Sequence, residues 1–248
     1  MGLLGKRKQN CLSFWFPILR DGGVAVPRTE IFTLSPKDGW DMVRVLDGET
    51  SAPFDRVAAF VERCTAKLGL PMFLRTGEGS GKHDWDRCCN VTGELPVTRH
   101  IAALVEWSHL VDMMGLPHNV WVCREMLATD PLFRCTRYGN MPVVREWRFF
   151  IRAGLIDCWH PYWPTVAIEQ GRPDDEDWRS EIEYLACPPP AAADALAARA
   201  ACLFDGYWSL DLFEASDGYY VTDMALGEQS YHHTPCDRLS LDAGPDGG

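Results

Sequence analysis

The chain has 248 residues and a formal charge of −11, with 35 acidic against 24 basic side chains. Hydrophobic residues make up 46% and charged ones 24%, a globular balance that suits one large domain or two packed lobes and needs no disulfide or metal staple. The acidic excess excludes nonspecific binding to a nucleic-acid backbone, which requires a basic surface, but leaves room for a local basic pocket.

Residues 11–20 are apolar and aromatic and close on Asp21-Gly22-Gly23, which predicts a strand-like or packed segment followed by a turn. Pro53 to Leu68 reads as a helix capped by Ser51, with Phe54, Val57, Ala58, Val61 and Cys64 on one face and Gly69 ending it. Residues 71–75 form a short buried strand running into the glycine-rich segment 76–82. A second amphipathic helix spans 98–114, with Ile101, Leu104, Val105, Ser108 and Val111 facing the core. Residues 119–126 look like a strand joining two lobes, and residues 143–152 a longer strand with interspersed charges. Residues 173–186 predict a helix capped near Asp174 or Asp175, and Pro188 to Pro190 start another through 191–203. Residues 208–214, a turn at 215–218 and residues 219–225 form a hairpin, and 244–248 a frayed tail.

The chemistry-bearing residues fall into a few groups. Arg75 ends a strand before a glycine-rich loop reaching Lys82, where backbone amides could surround a phosphate. This is not a Walker motif, because His83 stands where Ser or Thr is required; a flexible surface loop is the alternative. In a strand, Arg145 and Trp147 point to one face while Glu146 and Arg148 point to the other. Burying Glu146 and Arg148 demands a mutual pair or a charged ligand, the plain alternative being a structural ion pair at a sheet edge. Hairpin pairing brings Asp211 near Asp223; two such carboxylates repel and ask for a cation, and oxygen ligands alone suit Mg²⁺. His232, His233 and Cys236 match no zinc spacing and read as a loop. The Trp159–Trp163 cluster reads as core and cleft wall.

The ten cysteines contain no C-x-x-C pair and read as reduced core thiols of a cytosolic protein. The basic start lacks a secretory pattern, and Gly2 lacks the Ser or Thr that myristoylation wants at Lys6. No apolar run approaches the ~18 residues of a membrane span. A cytoplasmic protein is expected.

Taken in order, these segments resemble the ATP-grasp superfamily. The series runs from Phe14-Trp-Phe-Pro and 26–30 through Phe73-Leu-Arg75, 80–85 and Val122-Cys-Arg-Glu125 to Arg145-Glu-Trp-Arg-Phe-Phe-Ile151, Ser209-Leu-Asp211 and Val221-Thr-Asp223-Met-Ala225. The likeness is to the branch holding a eukaryotic cell-division-cycle chaperone of initiation-factor assembly and small ATP-grasp proteins of bacteria and their phages. It implies a two-lobed α+β fold with the nucleotide between two mostly antiparallel sheets. An N-terminal lobe (1–118), a hinge strand (119–126) and a C-terminal lobe (127–248) follow from it. It places Arg75 at the phosphates and Lys82 in a mobile loop closing over them, with Lys82 and Arg148 catalytic. It also implies that the backbone of Val122, Arg124 and Glu125 meets adenine, that Glu146 and Arg148 face the cleft, and that Asp211 and Asp223 hold Mg²⁺. The family usually writes acid-x-Asn at the end of the last strand; Ala225 stands in place of the asparagine, so one metal ligand is missing. The implied function is Mg-ATP-dependent carboxylate–amine ligation through an acyl phosphate, on a small-molecule or peptide carboxylate. The alternatives are an ATP-dependent assembly chaperone or binding module acting on a client protein, and a degenerate protein that binds no nucleotide.

Overall fold

The structure, a computed structural model, describes residues 9–49, 51–111, 116–163 and 178–232. Asp174, Asp175, His233, Cys236, Gly2, Lys6 and the tail 244–248 lie outside the described residues. Two compact units form: a central one of Pro27–Leu127 with Arg134–Met141, and a terminal one of Met1–Val26, Ala128–Phe133 and Pro142–Gly248. The first residues thus join the C-terminal half instead of the expected N-terminal lobe.

The reason lies in helix α1, Leu12–Asp21. The aromatic run predicts a strand-like or packed segment here; the segment is packed, but as a helix and not as a strand. Leu12, Trp15, Phe16 and Leu19 are all buried, an i, i+3, i+4, i+7 stripe that only a helix aligns. Pro17 removes one helical hydrogen bond, and packing holds the helix instead. Phe14 stacks on Trp208 at 6.1 Å, the Leu226 amide donates to Asn10 Oδ1 at 2.8 Å, and the Val221 amide donates to the Ala25 carbonyl at 2.9 Å.

The central unit is built on strands β1 (Thr29–Thr33), β2 (Met72–Thr76), β3 (Asn90–Val91) and β4 (Val120–Glu125), in the order β1-β4-β2-β3, all pairs antiparallel. Helix α2 (Ala52–Leu68) starts where expected: the Ser51 hydroxyl accepts from the Phe54 amide, and Gly69 ends it at φ +86°. Its buried stripe, Phe54, Val57, Phe60, Val61 and Cys64, packs on the sheet, with Phe60 stacked on Phe32 at 5.3 Å. Each such side chain contributes roughly 1.5–3 kcal/mol by leaving water. Helix α3 (Val97–Val111) buries Ile101, Leu104, Val105 and Ser108.

The expected strand 143–152 is divided: Met141–Val143 (β6) pairs with Phe133–Cys135 (β5) as a separate two-stranded ribbon. In the terminal unit, strands β7 (Glu146–Arg152), β8 (Leu155–Pro161), β9 (Tyr207–Ala215) and β10 (Gly218–Leu226) form an antiparallel sheet of order β10-β9-β7-β8. Helix α4 spans Trp178–Leu185, and α5 spans Ala191–Ala201 with Pro190 at its N-cap. The mixed helix and antiparallel-sheet architecture is the α+β class expected. The described cysteines are all free thiols, and no helix among the described residues is long and apolar enough to cross a membrane.

Candidate functional site

The terminal sheet has an apolar face bearing Trp147, Phe149, Leu210, Leu212 and Met224, all buried, and a polar face opposite. Register puts Arg148 across from Asp211 on one side and His160 on the other, and Asp211 across from Asp223. Glu146, two residues from Arg148, shares that face and is 7% exposed.

The position of Asp223 depends on a β-bulge. From Gly218↔Ala215 to Val221↔Leu212 the hairpin pairs without interruption, and that register would set Thr222 opposite Asp211. It would turn Asp223 to the apolar face. Instead the register shifts between Val221 and Asp223, Thr222 becomes the extra residue, and its hydroxyl donates to the Asp211 carbonyl at 3.3 Å. Bulges re-aim side chains in this way. Asp223 Oδ1 then accepts from the Met224 amide at 3.1 Å.

Asp211 is held firmly. Arg148 Nε and Nη2 donate to its two oxygens at 2.7 and 2.8 Å, a bidentate geometry that fixes direction as well as charge. Burial works against the Arg148 charge, but the Asp211 carboxylate outweighs it and raises the arginine pKa. The Arg148 guanidinium carbon lies 4.8 Å from the Tyr162 ring centre. The pair is therefore a structural element of the sheet as well as a candidate ligand set.

The chain after β10 returns across the same face. Ser230 Oγ bonds Ser209 Oγ, and the Tyr231 carbonyl accepts from Arg148 Nη1 at 3.5 Å. The His232 ring lies 3.9 Å from that of Phe150, with Nε2 3.0 Å from Cys158 Sγ. His232 is thus packed on the sheet. Ala225 sits opposite Ser209, on the face that carries both aspartates.

In the central unit, strand alternation sorts the remaining candidates. Arg75 on β2 faces Val122 across the ladder, and Arg124 faces Phe73, so Arg75, Val122 and Arg124 share one face, with both arginines buried at 3% and 4% exposure. Arg75 Nε donates to the Thr76 carbonyl at 3.0 Å, and Arg124 Nε donates to Thr29 Oγ1 at 3.2 Å. Glu125 falls on the other face and accepts from the Arg28 amide at 2.7 Å, with an ion pair to the Arg28 guanidinium.

One expectation is corrected here, and a second is set against the packing of its loop. Val122 to Glu125 were expected to offer their backbone to an adenine edge. Strand β4 is interior, paired with β1 on one side and β2 on the other over Val122 to Arg124, so the ladders use that backbone. The loop carrying Lys82 was expected to be mobile. Gly77, Gly79 and Gly81 are buried, and Thr76 clamps Gly79 through its amide at 3.0 Å and its hydroxyl at 3.1 Å. A Cβ at Gly79 would lie 2.6 Å from the Trp107 ring. Gly79 and Gly81 allow close packing against Trp107 and Leu104. Lys82 opens a half-buried 3-10 turn, Lys82–Asp84.

Sequence reasoning gave no site role to Tyr162 or Ser209. The signal for Ser209 was its position two residues before Asp211, which puts both on one face. Nothing local pointed to Tyr162.

No protein-family model matches the sequence, and no curated protein matches it. Among solved structures, Cdc123 from Schizosaccharomyces pombe is similar in fold at 12% identity, over 90% of this chain and 85% of that chain, with a TM-score of 0.56. A C-terminally truncated form of that protein matches over the same shares with a TM-score of 0.53. A RimK-domain ATP-grasp protein from Sphaerobacter thermophilus matches at 13% identity over 95% of this chain and 62% of that one, with a TM-score of 0.46. The likeness is one of fold alone, and it is to Cdc123, the form of architecture the sequence resemblance led us to expect.

Proposed function

We propose that the chain binds Mg-ATP and uses it as a carboxylate–amine ligase. The observation that carries this reading is the bulge at Thr222, which brings Asp223 onto the face of Asp211 and Arg148. A hairpin serving only the core has no need of two carboxylates in one row, because they repel. Among the described residues no group of three or more His, Cys, Asp or Glu side chains is suited to a metal. The donor set is two carboxylates, which fits an ion completed by water and phosphate oxygens, as Mg²⁺ is. When bound, that ion would neutralise charge on the phosphate oxygens.

The chain's own residues would do the rest. Arg148 stays cationic at any working pH and holds the Asp211 carboxylate in position on the row where phosphate would lie. Arg75 and Lys82 would bind phosphate oxygens and stabilise the charge that develops during in-line transfer. Val122 and Arg124 would line the nucleotide-facing sheet surface with Arg75, and Glu146 would lie beside Arg148. Glu125, bound to Arg28, would act only by shaping the strand end. A substrate carboxylate oxygen would attack the γ-phosphorus, ADP would leave, and an amine would then displace phosphate from the acyl phosphate. The free thiols suit a reducing compartment such as the cytoplasm.

Ala225 favours a second reading, an ATP-dependent binding module or assembly chaperone for a client protein, since one metal oxygen is missing. Release of ADP from Mg-ATP, screened against pooled amino acids and carboxylic acids, separates the two. Carboxylate-dependent turnover supports the ligase. Calorimetric ATP binding without turnover, with a co-purifying protein, supports the module. Absence of ATP binding overturns both.

A further inference from the structure

Arg145 takes no part in the reading above. Three residues apart on β9, Asp211 and Glu214 point to opposite faces of the sheet, and Glu214 pairs with Arg145, Nε to Oε2 at 3.0 Å and Nη2 to Oε1 at 3.1 Å. Tyr219 adds a hydroxyl hydrogen bond to Glu214 Oε1 at 3.2 Å. The Arg145 guanidinium carbon lies 5.0 Å from the Trp147 ring centre and 4.7 Å from that of Tyr184. The arginine is thus ion-paired on its edge with a carboxylate and lies against aromatic rings, with only Nη2 in hydrogen-bond geometry to Glu214.

Beside this pair lies a cavity of about 370 Å³, lined by Asp130, Leu132, Val144, Arg145, Tyr184 and Glu214 among others. That volume is at the small end of ligand sites. Its walls carry two carboxylates and one guanidinium, and the guanidinium is already committed to Glu214. Asp130 is exposed and has no ion pair among the described residues. The cavity therefore holds excess negative charge at its rim, with the side chains of Leu132 and Val144 as apolar wall.

We propose that this cavity binds a small organic cation: a primary amine or guanidine on a short alkyl stem. The cationic head would meet Asp130 and the outer lone pairs of Glu214, and the stem would lie against Leu132 and Val144. An anion is disfavoured, because Arg145 has its charge cancelled in place and Asp130 repels a second carboxylate. The site is independent of nucleotide binding, since it opens on the other face of the sheet from Arg148 and Asp211.

The test is calorimetric titration of the full chain with agmatine, with 1,5-pentanediol as a neutral counterpart of similar stem. Agmatine binds and pentanediol does not. Asp130→Asn, at an exposed position where folding is unaffected, weakens agmatine about tenfold, the lower end for one charge-assisted contact, and leaves ATP affinity unchanged. Val144→Trp fills the cavity and abolishes agmatine binding while thermal unfolding stays normal. Equal binding of pentanediol, unchanged affinity in Asp130→Asn, or no heat with agmatine at millimolar concentration overturns the proposal.

Discussion

Both four-stranded sheets carry an arginine at an interior strand position, yet the ladders give these arginines different neighbours. Arg75 looks across at Val122, whereas Arg148 looks across at Asp211. The lesson concerns what a buried charge is for. A guanidinium matched in register by a carboxylate is neutralised inside its own sheet, and each member then depends on the other for the cost of leaving water. A guanidinium that faces valine across its ladder, as Arg75 does, has no carboxylate opposite it in register, and this is the setting in which we propose a phosphate contact for it.

The comparison is broken most directly at Asp211. Asp211→Asn leaves Arg148 buried without its counter-charge and should cost about 3–5 kcal/mol in equilibrium unfolding. The double substitution Arg148→Met with Asp211→Leu should regain most of that. Asp223→Asn, at a half-buried position with one amide bond to Met224, should cost about 1 kcal/mol or less while sharply weakening Mg-ATP binding. Equal destabilisation by Asp211→Asn and Asp223→Asn would show that both carboxylates are structural.

The central unit has an acid-sensitive element of its own. His118 is 4% exposed and hydrogen-bonds Ser108 Oγ; burial, aided by the neighbouring His109, pushes its pKa down to about 4. Above pH ~6.5 the imidazole is neutral in both folded and unfolded chains and adds no pH dependence. Between ~6.5 and about 4 the unfolded chain takes up a proton that the folded one refuses, so stability falls, levelling off below about 4 at a loss of about 3 kcal/mol. Hydrogen exchange read in each unit across this range should show the loss in Pro27–Leu127, and His118→Gln should reduce it, the remainder including the share of buried His100, whose pKa is also lowered by burial.

Arg75→Ala should raise the ATP dissociation constant about ten- to a hundredfold, the worth of a charge-assisted phosphate contact of roughly 1.5–3 kcal/mol. Calorimetry that finds ATP affinity unchanged removes Arg75 from the phosphate site.

Much of this architecture is legible in the sequence. Helix α2 can be read because cap, apolar stripe and terminal glycine agree, and the 207–226 hairpin because its turn is flanked by alternating runs. The shared face of Asp211 and Asp223 is reached only in outline: pairing brings them near each other, but the bulge that turns both the same way follows from hydrogen bonding around Thr222. Helix α1 reads wrongly because aromatic residues suit strands and an interior proline disfavours a helix, and tertiary packing overrides both preferences. The glycine-rich loop is ambiguous for a related reason. Glycine spacing is the same whether the missing side chains permit motion or close approach, and only the positions of Trp107 and Leu104 favour the second.

That distinction is testable. Gly79→Ala should cost about 1–3 kcal/mol by overpacking against Trp107, and Gly81→Ala should add backbone strain at φ +64° to a Cβ 2.6 Å from Leu104. Gly48→Ala, with positive φ but open space around it, should carry only the backbone penalty of about 1–2 kcal/mol. Thermal unfolding of the three variants reads the order, and a neutral Gly79→Ala would restore the mobile lid.

The smallest expected effect sharpens the role of the terminal sheet. Ala225 faces Ser209 across the hairpin, where Ser209 Oγ reaches the Ala225 carbonyl at 3.4 Å and also bonds Ser230 Oγ. An asparagine at 225 would project from the face holding Asp211 and Asp223, into space bordered by hydroxyls able to hydrogen-bond its amide. Mg²⁺ accepts water in a vacant coordination place, so a protein oxygen there replaces water instead of creating a site. Ala225→Asn should therefore tighten metal binding only severalfold. Manganese titration of both proteins with a non-hydrolysable ATP analogue measures it. A variant that folds normally and binds the same number of ions at the same affinity would place position 225 outside the metal shell and leave Asp211 and Asp223 as the proposed protein ligands.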